Sequence, residues 1–343
     1  MGNIDVARFK HLYETDDSYK DIRESDKMKE IHLMCLSGSH AYGTARPDSD
    51  VDIRAVVGVD RSVALGVTSD WRAVHFVETD TEIFSILNFL HLISRGNPSI
   101  LCLLGNNLED YLYLSKQGKM LVEDYSGLFT AKSVYDSFVG YANSRLKVLE
   151  LAELGRLNEY GEVVGSVTLD SKKVEILNNA TSLFGSKYET ATDVFANYEI
   201  REDKVYLSDF RAKDISMVDF FNIARDLKTI SSNFGQKGKR NTKKTDFKLN
   251  KHCMHLVRGL LMGIELLETG KIVTYRKNDL ELLHSILQGE FMGASGMMRP
   301  EFYSLVNDLK KKADYAYKNS VLPSEVNMDK MTEYAYMFTF GKN

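Results

Sequence analysis

The run from Ser37 to Arg54 (Ser-Gly-Ser-His-Ala-Tyr-Gly-Thr-Ala-Arg-Pro-Asp-Ser-Asp-Val-Asp-Ile-Arg) constrains this chain more than any other stretch. Before it, Ile31 to Leu36 is a short apolar run that predicts a buried strand ending in a Gly-Ser turn. After it, Val51, Ile53, Ala55 and Val57 predict a second strand over about 50–57. Residues two apart on a strand point the same way, so Asp50 and Asp52 are expected to project from one face. Two carboxylates held that close repel, and each shifts towards protonation unless a cation sits between them. A Gly-Ser turn offers backbone N–H groups to phosphate, and a carboxylate pair holds Mg²⁺ between protein and phosphate oxygens. Together the two describe a site for a metal–nucleoside triphosphate. The plainer reading, an ordinary turn and a solvated loop around Pro47, leaves the strand-spaced pair without a role. Arg54 shares the face of the two aspartates. It either contacts triphosphate oxygens or offsets the carboxylate charge.

The pattern Gly-Ser, about ten residues, then Asp-x-Asp resembles the signature of the DNA polymerase β-like nucleotidyltransferase superfamily. With Gly43 and the ending Ser-Asp-x-Asp-Ile-Arg it resembles one branch, the RlaP-like nucleotidyltransferases associated with RNA repair in bacteria and large phages. The resemblance implies an α/β polymerase β-like nucleotidyltransferase domain, a small mixed sheet backed by helices, over 1–125. A mainly helical domain would follow over 126–343, with a divergent middle segment at about 156–245.

It also implies a chemistry. A nucleoside monophosphate would pass from an NTP to an acceptor hydroxyl with release of pyrophosphate, on two Mg²⁺ ions held by Asp50 and Asp52, with Mn²⁺ as an alternative. Gly38 and Ser39 would grip the β and γ phosphates. A third carboxylate is required, and Glu78, Asp80 and Glu82 compete for it. Thr79-x-x-Glu82 reads as a capping box at the start of a periodic helix over about 80–95, with Ile83, Leu87, Leu90 and Ile93 as its stripe. That leaves Asp80, which matches the family's acidic position, as the metal ligand and base. Its plainer role is a favourable charge at a helix N-terminus.

Further along, Trp71 to Glu78 alternates as a third strand, and Gly96-Asn97-Pro98 ends the helix before it. Residues 131–155 predict a long helix carrying Ser137, Tyr141, Arg145 and Lys147, which resemble the start of the family's second domain. A basic stretch, Lys237, Lys239, Arg240, Lys243, Lys244, Lys248 and Lys251, is either a solvated loop or an electrostatic hold on polynucleotide. On a helix over about 246–268, Lys251, His255 and Arg258 fall on one face. Lys-x-x-x-His-x-x-Arg, followed by Glu265-Leu266-Leu267-x-Thr269-Gly270, resembles the family's C-terminal motif and implies contacts to triphosphate or acceptor phosphate. One departure stands out: Cys102 occupies a position where the family often carries an acid.

Composition narrows the rest. A net charge of −4 argues against indiscriminate coating of nucleic acid, and the scattered Cys35, Cys102 and Cys253 read as reduced, buried thiols. His252-Cys253-x-His255 lacks a fourth ligand at zinc spacing. No apolar run reaches membrane-spanning length and no signal-peptide pattern opens the chain, so the expected setting is the cytoplasm. The acceptor is expected to be an RNA, a tRNA or an RNA 3′ end. A protein hydroxyl that receives AMP, or a silent nucleotide- or RNA-binding role, are the alternatives.

Overall fold

The computed structural model describes residues 6–28, 30–160, 198–201, 204–207, 246–293 and 298–341. The chain divides into two compact units: residues 1–146, 250–291 and 298–343 form the first, and 147–249 with 292–297 the second.

In the first unit a five-stranded sheet has the order β3-β4-β2-β1-β5, with β1 Ile31–Leu36, β2 Ile53–Val57, β3 Ala73–Phe76, β4 Thr81–Ser85 and β5 Tyr111–Leu114. β1 runs antiparallel to β2 and β5, β2 is parallel to β4, and β3 returns antiparallel to β4 at the edge. The central strands are covered on both faces, so most of their residues are buried without clean alternation, Arg54 and Glu82 being the half-buried exceptions of β2 and β4. Ile53, Ala55, Val57, Ile83, Met34 and Leu36 form one cluster with Ile22 and Phe9. Phe9 comes from helix α1 (Val6–Thr15), whose Leu12 and Tyr13 also close over that cluster. Truncating a fully buried member such as Ile83 to alanine would cost about 2–5 kcal/mol.

The expected helix over 80–95 is corrected. Residues 81–85 are strand β4, and helix α2 begins only at Ile86 and runs to Ser94. Its N-cap is Ser85, whose hydroxyl accepts from the Asn88 N–H at 3.1 Å, so Thr79 and Glu82 form no capping box. The reason is the position of β4 in the sheet. Thr81-Glu82-Ile83-Phe84-Ser85 shows no clean alternation, and Ile83 continues the helical spacing of Leu87 and Leu90, so periodicity does not separate this strand from a helix. Gly96 (φ +66°) ends this helix, and the Asn97 side chain caps the next turn with Pro98 at its first position.

Helix α3 (Lys116–Glu123) follows β5, and the long helix α4 (Ala131–Tyr160) matches the sequence expectation. Helix α5 spans Asp246–Thr269 and ends at Gly270 (φ +69°); α6 (Leu280–Gln288), α7 (Pro300–Lys318) and α8 (Met328–Phe340) complete a mainly helical C-terminal part. Helices α4 and α5 approach closely where a Cβ on Gly263 would meet the Phe138 ring.

In the second unit, β6 (Tyr198–Arg201) and β7 (Lys204–Leu207) form an antiparallel pair. Lys237, Lys239, Arg240, Lys243 and Lys244 lie outside the described residues. Cys35, Cys102 and Cys253 are free and buried. Among the described residues no helix is long and apolar enough to cross a membrane.

Candidate active site

The turn after β1 brings glycine against an aspartate. Gly38 has φ +59° and opens a five-residue helical turn, Gly38–Tyr42; a Cβ at Gly38 would collide with Oδ2 of Asp52. Ser37 N–H donates to the Asp52 carbonyl at 2.8 Å, extending the β1–β2 pairing one step beyond β2. Asp52 is therefore held at the strand end with its carboxylate over the turn. Asp50 stands apart. β2 begins at Ile53, not at 50, and Asp50 is an exposed loop residue.

A cleft of about 260 Å³ opens beside this turn, lined by Ser37, Gly38, Tyr42, Asp52, Arg54, Glu82, Phe84, Ser99, Ile100, His255 and Arg258. It lies wholly within the first unit. Of the residues expected at the site, Gly38, Asp52, Arg54, His255 and Arg258 meet in it. Ser39, Asp50, Asp80 and Lys251 do not line it, though Asp80 and Lys251 act on Asp52 from nearby.

Arg54 organises the acids. Its guanidinium lies 3.9 Å from Asp52, 3.4 Å from Asp80 and 3.4 Å from Glu82. It also donates to the Asp80 carbonyl at 2.6 Å. These contacts offset carboxylate charge, one of the two roles its position allows. The parallel register of β2 and β4 sets Arg54 opposite Glu82. Glu82 is thus a cleft acid on a central strand; among the three acids that compete for the third carboxylate, the sequence assigns it a capping role because its neighbours resemble a helix start. Asp80 precedes β4 in a left-handed conformation (φ 43°) and is not at a helix N-terminus. Its Oδ1 is 3.1 Å from His75 Nε2.

Burial, then a hydrogen bond and repulsion from Asp80, push Asp52 up to about 6, against the opposing pull of Arg54 and Lys251. Asp80 is held below the usual carboxylate range, first by its hydrogen bond with Asp52 and then by His75 and Arg54. Asp52 thus keeps its proton only up to about pH 6, and above that the two carboxylates are both charged and repel each other. Among the described residues no three His, Cys, Asp or Glu side chains form a ready-made metal cage. The donor set nevertheless fits a hard divalent cation: carboxylate oxygens of Asp52 and Glu82 open into the cleft, and Arg54 supplies positive charge there.

The opposite wall is cationic. Burial and the charges of Arg258, Lys251, Arg145 and His252 lower His255 to about 2. Arg258 stacks on Tyr42, with Cζ 3.4 Å from the ring centroid. His255 Nδ1 and Arg258 Nε and Nη1 are shielded from solvent and have no hydrogen-bond partner. Arg145 lies over Tyr141 and 3.3 Å from His252 Nδ1. Behind this wall Arg276 pairs with Glu265 and Asp279, and its N–H donates to the Tyr42 carbonyl at 3.2 Å. That bond fastens the α5 end to the Gly38–Tyr42 turn. Cys102, buried behind the cleft, accepts from the Tyr42 hydroxyl at 3.0 Å.

The small mixed sheet with helices on it and a carboxylate cleft at the ends of β2 and β4 are consistent with a polymerase β-like domain. In particular, residues 14–160 match the profile of RlaP, described as the RNA repair pathway DNA polymerase beta family. The match takes in the whole sheet and the acids but stops short of Lys251, His255 and Arg258. The family points to nucleotidyl transfer. Comparison with curated proteins finds no match.

Proposed function

We propose that this protein transfers a nucleoside monophosphate from an NTP to a hydroxyl at an RNA end. The observation that carries the reading is a single cleft in which Asp52 and Glu82 face the unpaired donors of Arg258 and His255. Carboxylates on one wall and cationic donors on the other suit a metal-bound triphosphate, whose phosphate oxygens need both.

Asp52 and Glu82, with Asp80 beside them, would hold Mg²⁺ or Mn²⁺. When bound, such ions offset charge on the attacking and leaving oxygens of an in-line displacement. Ser37 and the Gly38 backbone line the cleft where β and γ phosphates would lie, with Ser39 one residue further on. Arg258 takes the phosphate charge, with Lys251 adding to it from beside the cleft, and the neutral His255 ring offers a hydrogen bond. The acceptor oxygen attacks the α phosphorus, the bond from that phosphorus to the β-bridging oxygen breaks, and pyrophosphate leaves. Asp80 is about 45% exposed, so it can reach the acceptor hydroxyl and take its proton. Asp50 is proposed as a further ligand, approached from the exposed loop. RNA is the favoured acceptor because the matching family is described by an RNA repair pathway.

The test is incubation with Mg²⁺ and each α-³²P-labelled NTP in the presence of tRNA, short RNA and a cell lysate. Label in RNA that is lost in Asp52→Ala supports the reading, and Asp50→Ala tests the second aspartate. Label in a protein band would replace the RNA acceptor with a protein one. Activity undiminished in Asp52→Ala would remove the metal assignment.

A further inference from the structure

We propose that Tyr42 is the positioning residue that holds Arg258 as a rigid fork for the terminal phosphate of the triphosphate. The inference deepens the NTP reading above and rests on it for the identity of the natural ligand.

Arg258 Cζ sits 3.4 Å from the centroid of the Tyr42 ring, a contact over the ring face that suits a flat guanidinium better than a lysine ammonium. Stacking fixes the guanidinium plane and leaves its edges free. Two donors on that group, Nε and Nη1, have no partner and no solvent, and His255 Nδ1 three residues earlier is in the same condition. Buried polar groups are nearly always paired. Three orphaned atoms on one helical face, from residues that line the cleft, therefore mark a place for an oxyanion. A tetrahedral phosphate has the oxygens to take a bidentate arginine and a third contact together.

Tyr42 is itself fastened at two points. Its hydroxyl donates to Cys102 Sγ at 3.0 Å, and Cys102 in turn donates to the Pro98 carbonyl at 2.8 Å. Its own carbonyl accepts from Arg276 N–H at 3.2 Å. The ring is only 6% exposed. Its place in the Gly38–Tyr42 turn links the glycine that faces Asp52 to the arginine on α5. A preformed fork avoids the ordering cost that a loose side chain incurs on binding.

The experiment measures binding of inorganic tripolyphosphate by calorimetry, together with NTP KM and kcat, for wild type, Tyr42→Phe, Tyr42→Leu, Arg258→Lys and the double variant Tyr42→Leu/Arg258→Lys. Tyr42→Leu and Arg258→Lys should each weaken tripolyphosphate and raise KM about ten-fold, with kcat little changed. Tyr42→Phe keeps the ring and should stay within about two-fold of wild type, because only the ring face acts on Arg258. The double variant should be no worse than either single one, since both remove the same contact. Losses that multiply, or tripolyphosphate binding unchanged in Tyr42→Leu, would overturn the proposal. Should Tyr42→Leu fail to fold, wild-type affinity in Arg258→Lys overturns it equally. A wild type that binds tripolyphosphate in this Arg258-dependent way but transfers no nucleotide would sink the proposed activity and leave this inference standing.

Discussion

Asp52 and Asp80 shift each other in opposite directions: burial and the neighbouring Asp80 push Asp52 up to about 6, while Asp80 is held below the usual carboxylate range. In the unfolded chain Asp52 would ionise near pH 4, whereas the folded protein pushes it up to about 6. The folded state therefore binds more protons between these values, and stability is lost as pH rises through them. Asp52→Asn should melt a few degrees higher than wild type at pH 7.5, with the advantage fading as pH falls from about 6 to about 4. The gain is on the order of 1 kcal/mol, because the site is partly open to solvent. Thermal melts of both proteins from pH 4 to 8 test this. A variant less stable than wild type at pH 7.5 would refute the charge strain.

Glu82 and Asp80 can be separated by kinetics. Glu82 lines the cleft on β4 and Asp80 lies at its margin. Glu82→Gln should lower kcat about a hundred-fold or more, with an unchanged melting temperature. Asp80→Asn should cost less, about ten-fold, if it only assists proton removal. The reverse order would return the third carboxylate to Asp80.

Gly38 tolerates no side chain. Gly38→Ala places an L-residue at φ +59° and drives its Cβ into the Asp52 carboxylate. The backbone alone costs about 1–2 kcal/mol, and the displaced Asp52 should remove activity. Differential scanning calorimetry and the labelling assay read the two effects separately.

His255 carries the opposite pH signature from Asp52. Burial among cations lowers it to about 2, so below about pH 6.5 the unfolded chain takes up a proton that the folded chain refuses. Stability contributed by the neutral ring is present above that pH and falls by up to about 1.4 kcal/mol per unit below it. In urea titrations between pH 7 and 5, His255→Asn should lose stability less steeply than wild type by about one proton. Equal slopes would show that His255 is charged in the folded protein.

Much of the frame was readable from residue order. Ile31 to Leu36 and the run from Ile53 to Val57 are strands because nothing else accommodates two short apolar segments beside a Gly-Ser turn. Gly96-Asn97-Pro98 ends one helix and caps the next turn, as those residue types do wherever they occur together. The spacing of Lys251, His255 and Arg258 placed them on one face of a helix that is present over Asp246–Thr269. Two assignments around the acids needed the sheet. Thr81 to Ser85 reads as a helix start because a strand covered on both faces has no clean alternation to display. The spacing of Asp50 and Asp52 suits a strand, but β2 begins after both, with the Asp52 carbonyl paired to Ser37 and Asp50 in the exposed loop.

The sequence by itself determined the local matters: which runs form strands and helices, where they stop, and that a glycine turn and clustered acids stand near one another. These follow from backbone sterics and side-chain type within a few residues. Tertiary structure alone decided that Glu82 faces Arg54, that Asp80 perturbs Asp52, and that Arg258 lies on Tyr42. The last of these joins residues more than two hundred positions apart, and strand register and helix packing, which no local pattern encodes, set all three.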